Sequence, residues 1–323
     1  MTAPTVPDIT TLRIGVLCAG NSPERPGSLA SGEQAAKALT HAGLTTDLID
    51  LADTPLSSLR NRFDVALLGL HGLGGEDGKI QGALEIRGIP YTGSGVLASA
   101  LGMHNPTFKK LLLQAGIETP AWIVIDPKTS IESTLAAVRN SLGFPAFVKP
   151  SSGGGSLAAG IAHDEAQLRT MIEATKDDPY CEYMVEECVQ GIPCTVGLIE
   201  VEGHLVTLPV HDIEPKNDFY DHEAKHIPDL RVERRPSILP DTTTQNLQTL
   251  ARRAFDLLGA HGVLRVDFLA SFHHRTTVLE VNTLPGLSEY GSLATMARAG
   301  GIPYPDLMQH LVRTAFTKPG YLP

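Results

Sequence analysis

Residues 263–288, VLRVDFLASFHHRTTVLEVNTLPGLS, form the stretch on which the prediction of the fold rests. Two apolar runs, VLRVDFLA and TTVLEVN, flank a polar connection at 271–275, which is the pattern of a β-hairpin. Each run carries an acidic residue where a half-buried strand normally has Val or Ile. Glu280 and Asn282 are two residues apart, so they point to the same face of their strand, and hairpin pairing brings Asp267 across to them.

The polar residues of this hairpin predict a magnesium site. Asp267, Glu280 and Asn282 offer carboxylate and amide oxygens, which are hard ligands. Mg²⁺ binds few protein groups and takes its remaining ligands from water and phosphate. The hairpin alone leaves a second interpretation open, in which the acids lie on edge strands and face solvent.

The composition is that of an acidic protein with enough apolar residues for sizeable cores. A chain of 323 residues is longer than one hydrophobic core usually supports, so two or three domains are expected. Hydrophobic residues make up 42%, and no apolar run approaches the roughly 20 residues of a membrane helix. The net charge of −10 argues against a nucleic-acid surface.

The cysteines and the N-terminus predict a cytoplasmic location. The cysteines show no C-x-x-C spacing, so free thiols in a reducing compartment are expected. They are Cys18, Cys181, Cys188 and Cys194. The N-terminal sequence MTAPTVPDITTLR lacks a basic segment followed by a long apolar one, so no secretory signal is expected.

The first third of the chain is predicted to form an open α/β sheet. RIGVLCAG and FDVALLGLHG are buried-strand patterns that end in glycine, with a further strand at 45–51 and a helix at 29–42. Because ligands bind beyond the carboxyl ends of such strands, Glu24 and His71 are expected near a common crevice. The segment HGLGGEDGKIQG holds five glycines in twelve residues. This density favours a functional loop, although plain turn chemistry is an alternative.

The segment YTGSGVLASA matches a dinucleotide-binding fingerprint, but we do not interpret it as a dinucleotide-binding site. Gly93, Gly95 and Ala98 fit G-x-G-x-x-A, but the preceding strand is short and no acid follows at the expected distance. We interpret the segment as a tight turn that opens a helix at 96–103, close to a domain boundary near residue 100.

The middle third carries a phosphate-binding pattern. Lys149 ends the strand FPAFVKP and directly precedes the loop SSGGGSLAAG, where backbone N–H groups can cover phosphate oxygens. The alternative is a flexible hairpin with a surface lysine. In MVEECVQG, Glu186 and the backbone around Cys188 and Val189 have the groups needed to pair with an adenine edge.

The order of these motifs resembles the ATP-grasp superfamily and, within it, the D-alanine:D-alanine ligases. The motifs are HGxxGEDGxxQG, GSGVxASA, VKPSxxGxS, VEExVxG, RVDF and LEVNTLPG, and they span nearly the whole chain. The resemblance implies an α/β protein with the three-domain ATP-grasp fold. It implies an N-terminal open α/β sheet at 1–100, a central α+β domain at 101–188 and a C-terminal α+β domain at 189–323, with ATP between the last two.

The resemblance also implies residue roles. It makes Asp267, Glu280 and Asn282 ligands of two Mg²⁺ ions, for which Mn²⁺ is a possible substitute. The ATP contacts that it implies are Lys149, Ser156, Glu186, Glu187, Cys188, Val189, Lys225 and Asn282. The substrate contacts that it implies are Glu24, His71, Arg265, Gly286, Gly291 and Ser292. The catalytic residues that it implies are Glu24, His71, Ser156, Lys225, His226, Arg265 and Gly286. A homodimer formed through the N-terminal domain and a mobile loop at 211–235 are further expectations.

Several positions depart from the family pattern. His104 and Asn105 replace the usual Asp-Lys, and Lys109 or Lys110 could substitute for that lysine. The other departures are Gly155 for a serine, Pro193 for an acid near the ribose, His226 for a tyrosine and Gly291 for a serine.

These departures leave three functions open. The first is a ligase that activates one amino acid as an acyl phosphate, most simply a D-alanine–D-alanine ligase of peptidoglycan synthesis. The second is a biosynthetic ligase with a different acceptor, such as D-lactate or another amino acid, or one that cyclises its substrate. A protonated His226 would favour a neutral hydroxy acid over an ammonium group. The third is an impaired relative that binds nucleotide as a regulator.

Overall fold

The computed structural model describes residues 6–175, 178, 182–217, 219, 228–234, 237–270 and 276–319. Three sheets organise this part of the chain. None of the helices within the described residues is both long and apolar enough to cross a membrane.

The first sheet is parallel and has the strand order β2-β1-β3. Its strands are β1 (Arg13–Cys18), β2 (Thr45–Asp50) and β3 (Val65–Leu68), and its helices are α1 (Arg25–His41), α2 (Lys79–Ile86) and α3 (Val96–Met103). The predicted strands and the α3 helix are confirmed. The prediction that α1 starts at residue 29 was wrong. The helix begins at Arg25, because Pro26 lies in the first turn, where its missing N–H costs no hydrogen bond.

The second sheet is antiparallel, with the order β4-β7-β5-β6. Its strands are β4 (Trp122–Ile125), β5 (Ala146–Pro150), β6 (Gly160–Ala162) and β7 (Tyr183–Glu187). The helices of this region are α4 (Asn105–Gln114), α5 (Ile131–Ser141) and α6 (Glu165–Ala174). Lys149 is the penultimate residue of β5, so the strand carries it to the start of the glycine-rich loop, as predicted.

The third sheet has the order β11-β10-β8-β12-β13, with β9 paired to β8, and contains the predicted hairpin. Its strands are β8 (Ile192–Val201), β9 (His204–Thr207), β10 (His211–Pro215), β11 (Arg231–Arg234), β12 (Val263–Ala270) and β13 (Thr277–Asn282). The helices are α7 (Asp241–Leu258), α8 (Ser292–Ala299) and α9 (Tyr304–Thr314). Strands β12 and β13 are antiparallel, and a bulge interrupts their register between Asp267 and Phe268.

The C-terminal helices share a core with the first sheet. Leu307, Met308 and Leu311 of α9 belong to the same buried cluster as Ile14 and Val16 of β1. The strands of the three sheets fall within the predicted segments 1–100, 101–188 and 189–323 respectively. The domain boundaries themselves stay a prediction.

Candidate active site

A cleft of about 1150 Å³ lies where the three sheets face one another. The predicted site residues within the described part of the chain all line it. They are Glu24, His71, Lys149, Ser156, Glu186, Glu187, Cys188, Val189, Arg265, Asp267, Glu280, Asn282, Gly286, Gly291 and Ser292. Lys225 and His226 lie outside the described residues. The hypothesis about His226 therefore stays a prediction.

The hairpin brings the predicted metal ligands together. Asp267 is the direct cross-strand partner of Glu280, and Asn282 is the partner of Arg265 two pairs further along. Asn282 donates through Nδ2 to Asp267 Oδ2 at 3.1 Å, which leaves its amide oxygen available as a ligand. No group of three or more His, Cys, Asp or Glu residues suited to a metal is found among the described residues. Two acids and an amide nevertheless fit Mg²⁺, which completes its coordination with water and phosphate.

Asp267 is held by two further neighbours. Arg265, two residues earlier on the same strand face, donates to both of its carboxylate oxygens, at 2.9 and 2.8 Å. Thr195 of β8 pairs with Asp267 across the sheet, and its buried hydroxyl lies 2.7 Å from Asp267 Oδ1. Sequence reasoning missed Thr195. The available signal was strand alternation, which places it on the same face as Pro193 and toward the cleft.

A buried row of alternating charges runs from α4 to the predicted metal site. Lys109 Nζ lies 2.7 Å from one oxygen of Glu186, and Lys149 Nζ lies 3.3 Å from the other. Lys149 also lies 3.3 Å from Glu280. Burial opposes the charged form of Lys149, but the carboxylates of Glu186 and Glu280 outweigh it and raise its pKa. Burial lowers the pKa of Lys109 to about 8.

This row refines two sequence interpretations. Lys109 is buried and paired with Glu186, whereas Lys110 is exposed, so Lys109 is the lysine that reaches the site region. The carboxylate of Glu186 is directed at two lysines. Its expected contact with adenine is not tested by these distances. Asn105 lines the cleft with its amide oxygen buried and without a hydrogen bond from any described residue.

The glycine-rich loop lies against Glu24. A Cβ atom at Gly154 would fall 2.6 Å from Glu24 Oε1, and one at Gly155 would fall 3.3 Å from Oε2. Glycine at these positions therefore lets the backbone approach the carboxylate. The next residue, Ser156, has a φ of 55°, a left-handed conformation that is strained for a residue with a side chain. Close packing against Glu24 therefore explains the glycine at position 155, which the sequence motifs alone do not explain.

His71 is fixed as a neutral imidazole. Its Nδ1 lies 3.1 Å from the Leu284 carbonyl, which can only accept, so Nδ1 carries the hydrogen. Nε2 then accepts from the hydroxyl of Ser31 at 2.9 Å, and the Leu287 N–H donates to that hydroxyl at 3.2 Å. Burial lowers the pKa of His71 to about 4. Ser31 was missed in the sequence, although it lies seven residues after Glu24 and therefore on the same helix face.

Glu76 ties the two loops of this region together. Its carboxylate accepts hydrogen bonds from the N–H groups of Gly72 at 3.0 Å and Leu284 at 2.9 Å. Burial, followed by the nearby charge of Glu24, raises its pKa to about 8. The glycine-rich segment after β3 is thereby attached to the loop that follows β13.

The loop after β13 forms the far end of the cleft. Ser288, Gly291 and Ser292 line it, and α8 begins at Ser292. A Cβ atom at Gly291 would lie 2.8 Å from Ser288 Oγ, so the hydroxyl of Ser288 takes the space that a side chain at 291 would fill. Ser288 is a third polar residue that sequence reasoning missed, and it lies close to position 291, where the family has a serine.

The turn between β7 and β8 contains the residues that are predicted to line the adenine. Glu187 Oε2 accepts from the Ala121 N–H at 3.3 Å, and the Val189 N–H donates to the Glu187 carbonyl at 3.1 Å. Cys188 and Pro193 line the same part of the cleft. Cys18 and Cys194 are buried free thiols and Cys188 is a partly buried one, as expected. Cys181 lies outside the described residues.

Comparison with known proteins agrees with this architecture. Family models described as D-ala D-ala ligase N-terminus and C-terminus match residues 50–94 and 111–313. The D-alanine–D-alanine ligase of Geotalea uraniireducens is 39% identical over 97% of this chain and 99% of its own length. That of Moorella thermoacetica is 38% identical over 94% and 99%.

A solved structure shows the same fold. The D-alanine–D-alanine ligase of Bacillus anthracis, crystallised in complex with ATP, has a TM-score of 0.79 and 30% identity, and the alignment covers 94% of this chain and 97% of that one. The expectation of an ATP-grasp fold is thereby confirmed. With the cleft lined as described and relatives matched over nearly their whole length, this chain belongs to the D-alanine–D-alanine ligase family.

Proposed function

We propose that this protein is an ATP-dependent ligase that joins two amino acids through an acyl phosphate, as a D-alanine–D-alanine ligase or a close variant of one. The observation that carries the proposal is the meeting of Asp267, Glu280 and Asn282 with Lys149 and Arg265 in one cleft. A module that only binds nucleotide has no need of Arg265 on the substrate side.

In the proposed first step, a carboxylate oxygen of the first amino acid bonds to the γ-phosphorus of ATP while the bond to ADP breaks. Lys149 would bind the nucleotide phosphates. Glu24 would hold the ammonium group of this amino acid, and the neutral His71 would stand beside its carboxylate without adding charge. Two Mg²⁺ ions at Asp267, Glu280 and Asn282 would neutralise phosphate charge.

In the proposed second step, the amine of the second amino acid attacks the acyl carbon, the bond to phosphate breaks, and the amine proton leaves with the phosphate. Arg265 and the Gly286 N–H would stabilise the negative charge on the tetrahedral intermediate. Ser288 and Ser292 offer hydroxyls at the end of the cleft where the second carboxylate would bind.

The proposal extends to assembly and location. We propose that the protein acts as a homodimer formed through the N-terminal domain and that it acts in the cytoplasm, where ATP is available. Sedimentation of the purified protein tests the first, and localisation of a tagged chain tests the second.

Phosphate release from ATP, measured with Mg²⁺ against single amino acids and pairs of both configurations and against D-lactate, tests the reaction. Products are identified by mass. We expect release that depends on an amino acid, with a dipeptide as product or, with D-lactate, the corresponding depsipeptide ester. We expect the Asp267→Asn variant to lose this phosphate release. ATP binding with no release for any pair would favour the nucleotide-binding regulator.

A further inference from the structure

Helix α1 holds the loop that follows β13 by accepting hydrogen bonds from the backbone of that loop. The Leu287 N–H donates to Ser31 Oγ at 3.2 Å, and the Glu289 N–H donates to Gln34 Oε1 at 2.7 Å. Ser31 and Gln34 are three residues apart, so they are neighbours on one face of the helix. The helix therefore fixes two alternate residues of the loop at once.

The Gly286 backbone lies directly beside this attachment. Gly286 precedes Leu287 in the chain and lines the cleft. A Cβ atom at Gly286 would lie 3.9 Å from both Ser31 Oγ and His71 Nε2, so these two side chains are the nearest neighbours of that position. Ser31 and His71 thus border the N–H group that is assigned to the tetrahedral intermediate.

Ser31 also fixes the ring of His71. The serine hydroxyl donates to His71 Nε2 at 2.9 Å, and the Nδ1–H of the ring donates to the Leu284 carbonyl at 3.1 Å. Both nitrogens of the neutral ring are therefore engaged within the protein, and neither has an N–H left for a substrate. The imidazole instead joins Ser31 to the backbone two residues before Gly286.

The Ser31 hydroxyl consequently supports Gly286 from both sides. It binds Leu287, the following residue, directly, and it binds Leu284 through the ring of His71. Ser31 is 2% exposed, so water does not readily replace these hydrogen bonds when they are lost. A donor stabilises the charge of a transition state most when it is already in position and need not reorient.

We propose that Ser31 is a positioning residue of the ligase reaction, which holds the Gly286 N–H in place through Leu287 on one side and through His71 on the other. The proposal rests on the ligase function above, with Gly286 as the oxyanion donor. It gives His71 the task of holding the loop rather than that of donating a hydrogen bond to a substrate. Loss of the Ser31 hydroxyl should therefore slow the reaction more than it weakens substrate binding.

Steady-state kinetics of Ser31→Ala test this expectation. The measurement uses the pair of amino acids that gives the fastest phosphate release in the native chain, and it varies ATP and each amino acid in turn. We expect kcat to fall roughly tenfold to a hundredfold, because the oxyanion donor is displaced. We expect each KM to change by less than about threefold. An unchanged kcat, or a raised KM with an unchanged kcat, would overturn the proposal.

Ser28→Ala is the matched control. Ser28 is a second buried serine of α1, and its hydroxyl accepts from the Ala19 N–H and donates to the Gly69 carbonyl, both at 2.7 Å. Those partners follow β1 and β3 and are not part of the loop after β13. Both variants lose two hydrogen bonds and should lose stability in urea unfolding, but only Ser31→Ala should lose kcat. Equal losses of kcat would attribute the effect to stability and refute the role of Ser31.

Nitrogen NMR of the histidine rings tests the contact without any turnover. The protein is labelled with ¹⁵N-histidine, and the signals of His71 are identified by their absence in His71→Gln. In the native chain we expect the proton on Nδ1 and a hydrogen-bonded Nε2, and in Ser31→Ala we expect the Nε2 signal to shift to that of a nitrogen without a donor. A native ring with its proton on Nε2, or an Nε2 signal that is the same in Ser31→Ala, would refute the inference.

The native chain separates failure of the inference from failure of the ligase function. A native chain that releases no phosphate with any pair would refute the ligase function, and with it the role of Ser31 in the reaction. An active native chain with an equally active Ser31→Ala variant would refute the inference alone.

Discussion

Breaking the buried ion pair between Lys109 and Glu186 should be costly, because the buried carboxylate of Glu186 would lose one of its two cationic partners. The side chain of Lys109 is 0% exposed and that of Glu186 is 3% exposed, and their charged atoms are 2.7 Å apart. At an effective dielectric constant of about 20, that distance corresponds to an attraction of about 6 kcal/mol before desolvation is subtracted. Replacing Lys109 by Met removes this attraction and keeps an apolar side chain of similar length.

The net loss is smaller because Glu186 keeps a second partner. Lys149 remains 3.3 Å from its other oxygen, so the carboxylate is not left alone. Lys109 also donates to Thr119 Oγ1 at 2.8 Å and to the Pro120 carbonyl at 3.1 Å, and both acceptors would lose that donor. We expect Lys109→Met to lower the free energy of unfolding by about 3 kcal/mol, within the range for breaking a buried pair.

Urea unfolding followed by circular dichroism provides the measurement, with Lys110→Met as the control. Lys110 is the exposed neighbour on the same helix, so its replacement should change stability by less than about 0.5 kcal/mol. Glu186→Gln and the double variant Lys109→Met/Glu186→Gln complete a double-mutant cycle. We expect this cycle to give a coupling energy of about 2 kcal/mol between the two side chains. Additive losses, or a Lys109→Met variant as stable as Lys110→Met, would refute the argument.

Three further predictions concern the cleft. The pKa of His71 is about 4, below its ordinary value of 6.5, so the unfolded chain binds an additional proton as pH falls between these values. The free energy of unfolding should therefore fall by at most about 3 kcal/mol as the pH is lowered from 6.5 to about 4. An equally steep dependence of the unfolding free energy on pH in His71→Gln would contradict this prediction. Thr195→Val, but not Thr195→Ser, should weaken Mg²⁺ binding in the presence of ATP about tenfold by calorimetry, because Asp267 loses its hydroxyl partner. Gly154→Ala should raise the KM for the first amino acid about tenfold, because the added methyl group would displace Glu24. Equal KM values in the native chain and in Gly154→Ala would refute this prediction.

The sequence was most informative where structure is local. Alternation along two short runs predicted that Asp267 would face Glu280, and the strands pair in that register. The same reasoning placed Lys149 at the end of a strand before a glycine-rich loop. The bulge after Asp267 was not predicted, because no residue in the run departs from strand composition.

The sequence was less informative where a side chain meets a distant part of the chain. Lys109 and Lys110 are adjacent lysines, and composition cannot show that one is buried against Glu186, 77 residues later, while the other faces solvent. The segment NSPERPGS reads as a loop because of its prolines and glycine, yet α1 begins within it. Ser31 acquires its role only through His71 and the loop after β13, which fold up to it from two other regions.

An ion pair within the cleft links metal binding to the position of Arg265. The acids Asp267, Glu280 and Glu186 face the cations Arg265, Lys149 and Lys109, so the charges of these six side chains balance one another. Arg265 engages both oxygens of Asp267, and these are the oxygens that a metal ion would need. Arg265 and a cation therefore compete for one carboxylate. We therefore expect a bound metal ion to weaken the contact between the guanidinium and Asp267, which would leave Arg265 freer to turn toward a substrate.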